Sequence, residues 1–161
     1  MKSWFERSPE VSYLLNSAFC ARILYGSIVA YKKECKREFP FVLSYLILPI
    51  ILHKETRQRI KTVTYMQVWL QKNPELLIGY AKRAKSLVPI TSEAIEYLMQ
   101  TGTALFNGDN ILINRPLKPS KLKSISDEEM IECFNRAEAL GKWFARNGTV
   151  ENIYQSWGVR P

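Results

Sequence analysis

Chemistry on a substrate at neutral pH needs a base beside a nucleophile, a carboxylate pair or a metal-activated water. Each requires His, Cys or acidic side chains that converge in space. The 161-residue sequence offers one histidine, His53, and three widely spaced cysteines, Cys20, Cys35 and Cys133. No second His or Cys stands at ligand spacing from His53, so a helix end suits it better than a metal. An odd cysteine count with no secretory signal ahead of it fits reduced thiols in a cytoplasmic protein. The sequence has no Gly-rich phosphate loop, GxSxG elbow, HExxH helix or CxxC pair. The expectation is therefore no enzyme, with no catalytic residue, metal ligand or cofactor, and a function exercised by binding.

The residue types that could bind are basic and aromatic. The formal net charge is +8, with a pI near 9.5. Residues 1–102 hold 15 Lys/Arg against 8 Asp/Glu, whereas residues 103–161 hold 8 against 7. Two basic stretches stand out, Lys54, Arg57, Arg59 and Lys61, then Lys82, Arg83 and Lys85, with Arg115 beyond them. They are candidate contacts for double-stranded DNA or an acidic partner face, and the first stretch is expected to face solvent. A merely solvated surface is the alternative, since charge runs usually are that. Near the C-terminus, Tyr154, Trp157 and Arg160 are residue types enriched at interface hot spots, although Trp157 equally suits core packing.

The elements that must position these residues read as mainly α. Asn16 or Ser17 caps a helix through Phe19, Ile23, Leu24, Ile28 and Tyr31, which ends in the charged run Lys32, Lys33, Glu34, Cys35, Lys36, Arg37. Cations there suit the helix dipole, so that run reads as a solvated helix end. The apolar stretch Phe41 to Leu52 is too short for a membrane span and belongs at the centre of the core, so no membrane partner is expected. Helices are expected over Thr64–Lys72, over Pro74–Leu87, and from a Thr91 or Ser92 cap to Gly102. Two short runs, Thr103–Phe106 and Ile111–Asn114, flank Asn107-Gly108-Asp109-Asn110 and predict a β-hairpin.

Helix, turn, helix and hairpin is the order of a winged helix, with residues 115–123 as an exposed connector leaving the wing. A capping box at Ser126 to Glu129 then opens a long helix ending at Gly148, and Thr149 caps a last short one. The expected architecture is a helical bundle carrying a winged-helix-like helix-turn-helix plus β-hairpin. Residues 1–161 form a single domain with parts at 1–72, 73–123 and 124–161.

Four blocks carry a resemblance: NSAFCARILYGSIVAY at 16–31, FPFVLSYLILPIILHKETR at 39–57, WLQKNPELLIGYAKRAKSLVPITSEAIEYLM at 69–99, and the ending ALGKWFAR…IYQSWGVRP. Together they resemble the middle component of bacterial three-component ABC-type systems, related to Lamassu-like anti-phage defence. The resemblance implies a non-catalytic accessory subunit, kleisin-like or winged-helix. Such a subunit would link an SMC/ABC-type coiled-coil ATPase to an effector, often a nuclease, in sensing foreign DNA. The alternative from the residues alone is a free-standing winged-helix DNA-binding regulator. Against that alternative, the helix meant to read the groove carries Glu93 and Glu96 and no Lys or Arg over residues 91–101.

Overall fold

The first described helix, α1 (Ser17–Cys35), starts where the sequence provides an acceptor, since the Asn16 side chain takes the backbone N–H groups of Ala18 and Phe19. The computed structural model describes residues 16–61, 63–117 and 128–161. Lys36, in the left-handed conformation, stops α1 and turns the chain into the two-residue strand β1 (Phe39–Pro40). A 3-10 turn at Phe41–Leu43 leads into α2 (Ser44–Ile51), which runs through Pro49. Its Leu46, Ile47, Leu48, Ile50 and Ile51 are at most 1% exposed, as a segment apolar on every side requires.

Short helices follow: α3 (Lys54–Arg59), α4 (Met66–Lys72), a 3-10 turn at Pro74–Leu77, α5 (Tyr80–Ser86) and α6 (Val88–Gln100). Two sequence expectations are corrected here. The single helix over Pro74–Leu87 is broken at Gly79, whose φ of +74° is open to glycine and costly for other residues. The next helix starts at Val88 rather than at a Thr91 or Ser92 cap, because Pro89 is accommodated in its first turn and Thr91 is buried within it. Gly102 (φ +70°) ends α6 in a Schellman motif, with Thr103 N–H donating to Leu98 O and Gly102 N–H to Met99 O.

The hairpin β2 (Ala104–Asn107) and β3 (Asn110–Ile113) forms where the sequence places it. Gly108, first of its two turn residues, takes φ +60°. β3 sits in the middle of a three-stranded antiparallel sheet, pairing with β2 along its length and with β1 at Phe39↔Ile111 and Pro40↔Asn110. A helix, then a strand that returns beside a later hairpin, with further helices between, is a winged-helix-like arrangement.

The long helix α7 (Glu128–Arg146) packs on α1, with Gly141 against Ser27. A Cβ on Gly141 would lie 2.2 Å from the Ser27 carbonyl oxygen. Ser27 Oγ donates back to Ala137 O at 2.7 Å, so the crossing is tight and hydrogen-bonded. The last helix, α8 (Val150–Ser156), is capped by Thr149 as expected. One cluster of buried side chains runs from Phe19 to Trp157 and draws on all three strands and every described helix except α3. Ser126 and Asp127 of the expected capping box, and the connector from residue 118 onward, lie outside the described residues.

Candidate partner-docking cleft

The first basic stretch does not face solvent as a unit, and for Arg57 that expectation is corrected. Arg57 is 2% exposed; its Nε and Nη2 donate to Glu132 (3.0 Å) and Glu129 (2.7 Å), and its Nη1 donates to Ile51 O (2.8 Å). Burial opposes its charge, but the Glu132 and Glu129 hydrogen bonds outweigh it and hold the guanidinium above its ordinary pKa. The two glutamates stand on α7, 75 and 72 residues along the chain, so no local pattern in 54–61 announces them. Arg59 is held by Glu55 at 2.8 Å and by Glu75. Lys54 and Lys61 are exposed.

His53 accepts the Thr56 N–H on its Nδ1 and so caps α3, the helix-end role read from its isolation. Cys20 and Cys133 are buried, and burial, followed by Glu93 and Cys133, pushes the Cys20 thiol up to about 12. It stays protonated at neutral pH, the state of a packing residue rather than a nucleophile.

The second basic stretch and the tail come together. Lys85 from α5 and Arg160 from the tail line one cleft of about 560 Å³, walled by Val42, Tyr45, Val88 and Tyr154. No Asp or Glu lines it, and neither cation enters an ion pair among the described residues. Tyr154 donates its hydroxyl to Val42 O, and burial, then Tyr45, pushes that hydroxyl up to about 12, so the phenol is neutral and fixed. Tyr45 reaches Ser92 Oγ of α6 at 3.1 Å.

Trp157 is 1% exposed, packed against Tyr80 (ring centroids 5.0 Å apart) and Trp69 (6.3 Å), with its indole N–H on Met66 Sδ (3.3 Å). Of its two sequence readings, core packing is the one the structure displays, and Trp157 works by anchoring the tail. A second Schellman motif then bends the chain: Gly158 takes φ +71°, Val159 N–H donates to Tyr154 O and Gly158 N–H to Gln155 O. Arg160 is thereby delivered to the cleft rim.

The remaining candidates lie apart from this cleft. Lys82 is exposed, while Arg83 turns back over the Tyr80 ring (5.8 Å) and donates to Ile78 O, with burial lowering its pKa. Arg115 is exposed just beyond β3, its guanidinium over Gly102. On α6, Glu96 points outward and bonds Gln100, whereas Glu93 is half-buried. The outer face of that helix therefore offers Ser92, Glu96 and Gln100, and no cation. Val42, Tyr45 and Val88 escaped sequence reasoning because each fits an ordinary core position equally well.

Among the described residues, no helix is long and apolar enough to cross a membrane, and no group of three His, Cys, Asp or Glu could hold a metal ion. The family model for the ABC-three component (ABC-3C) system Middle Component 3 matches residues 4–161. No curated protein and no solved structure matches the chain. Since the match takes in every helix described above, the hairpin and the tail, the chain belongs to the Middle Component 3 family of ABC-three component systems.

Proposed function

We propose that this middle component is a non-catalytic, cytoplasmic accessory subunit that links an SMC/ABC-type coiled-coil ATPase to an effector, a nuclease, in a Lamassu-like anti-phage complex. A middle component of a multi-component system has partner subunits by definition. The observation that carries the docking role is the cleft. An apolar concavity with two unpaired cations at its rim and no acidic lining suits an apolar anchor flanked by carboxylates on a partner. Buried Trp157 supports the same reading, because it fixes the backbone that presents Arg160 and so limits the ordering cost of binding. Double-stranded DNA is reached through the assembled complex, since the outer face of α6 carries Glu96 where a groove-reading helix would carry cations.

The test is reconstitution with the ATPase and effector components of the same system. Tagged chain should retain both partners, and the ATPase and effector should fail to associate when the chain is left out. The chain alone should show neither ATP hydrolysis nor DNA cleavage. Nuclease or ATPase turnover that survives rigorous purification and disappears on one point substitution would overturn the proposal.

A further inference from the structure

A second groove, of about 550 Å³, lies between the C-terminal half of α1 and β3, and it shares no lining residue with the tail cleft. We propose that it takes up an extended, acidic peptide segment of a partner protein, which adds as a strand beside Ile113.

The strand edge is the first ground. β1 covers only Ile111 and Asn110 of β3, because the left-handed residue Lys36 brings the chain off α1 only three positions before Phe39. The closing Asn107↔Asn110 pair of the two-residue hairpin directs the backbone groups of Asn110 and Leu112 toward β2. Asn114 continues that alternation by donating to Thr103 O. The N–H and C=O of Ile113 therefore face the side where β1 has already ended. No described strand pairs with Ile113 on that side. An open ladder position next to a groove is a template for strand addition.

Charge and shape supply the second ground. Ile28 and Val29 of α1 and Ile111 and Ile113 of β3 give the groove apolar walls. Lys32, Lys33 and Lys36 line its rim along the last turns of α1, and Arg115 stands at the end of β3. Glu38 is the one acidic residue in the lining, and it is already paired with Lys32. Lys33, Lys36 and Arg115 enter no ion pair among the described residues. An added strand alternates its side chains between two faces, so acidic residues in between apolar ones would meet the lysines while the apolar ones meet the isoleucines. Duplex DNA fits less well, since phosphates gain nothing from an apolar floor or an open strand position.

The probe is a fluorescein-labelled peptide alternating Glu and Val, followed by anisotropy with the full chain. Saturable binding is expected. Lys33→Glu with Lys36→Glu should weaken it about tenfold or more, as should N-methylation of every second peptide bond, which removes ladder donors without changing charge. Both lysines are exposed, so an unchanged melt is the folding control for that variant. Lys85→Glu, in the other cleft, should leave peptide affinity unchanged. The proposal is overturned if the N-methylated peptide binds as well as its parent, if the double reversal has no effect, or if no saturation is reached by about 1 mM. A DNA duplex whose binding is lost in the double reversal, with the peptide inert, would assign the groove to nucleic acid. None of these outcomes depends on the ATPase or effector, so failure here is distinct from failure of the reconstitution above.

Discussion

Two basic stretches, Lys54 to Lys61 and Lys82 to Lys85, look alike in sequence and do opposite work. In the first, Arg57 is drawn into the interior by Glu129 and Glu132 of α7, and Arg59 is held by Glu55 and Glu75. The stretch is a clamp between α3 and the rest of the bundle. In the second, Lys85 meets no counter-charge and stands with Arg160 over an apolar cleft. The difference teaches that the role of a cationic run is decided by where the acidic residues return in space, and an unanswered cation beside an apolar concavity is the feature on which the proposed docking face rests.

The comparison can be broken at several points, beginning with the core that holds the tail. Trp157→Ala should cost about 4 kcal/mol, the usual price of emptying a buried Trp site. A melt should fall by on the order of 10 °C. Gly141→Ala should cost about 3 kcal/mol, because its new methyl would press on the Ser27 carbonyl and force α1 and α7 apart. Urea titration of both variants measures this, and an unperturbed midpoint in either would contradict the packing described.

Arg57→Ala should cost about 2 kcal/mol. The loss stays below the upper range for buried pairs because Glu129 and Glu132 remain 50% and 28% exposed and can be rehydrated. Lys54→Ala, at an exposed position that enters no ion pair among the described residues, should stay within about 0.5 kcal/mol. Equal effects of the two substitutions would erase the distinction between clamp and surface. Lys85→Glu with Arg160→Glu should likewise change stability by less than about 0.5 kcal/mol, while abolishing partner retention in a pull-down.

The smallest effect concerns pH. His53 titrates below its ordinary value because of burial and then Arg83, with Glu55 opposing and Arg57 adding. Its folded pKa lies below the unfolded one, so its contribution is present above the unfolded pKa of about 6.5 and is lost as pH falls through the folded value. Protonation also removes the Nδ1 acceptor that caps α3. Urea midpoints should therefore drop modestly between about pH 7 and pH 5, and His53→Asn, which caps without titrating there, should flatten that slope.

Much of the fold was legible locally. Asn16, Thr149, Gly102 and the Asn107 to Asn110 turn act where their side chains or backbone freedom place them. The break at Gly79 is not legible, because a single Gly inside an amphipathic pattern reads as tolerated. The cleft was half legible: Lys85, Tyr154 and Arg160 were each candidates, but as members of two separate groups. Their meeting depends on Trp157 docking against Tyr80 and on the Schellman turn after it, contacts between residues far apart in sequence. The burial of Arg57 is illegible for the same reason, its partners lying on another helix.

Hydrogen exchange on the full chain, with and without the reconstituted partners, tests the central claim most directly. The account predicts new protection of backbone amides in 81–88 and 154–160, the segments that wall the cleft, with little change across 54–61. Protection gained at 54–61 while the cleft segments exchange as in the isolated chain would contradict it.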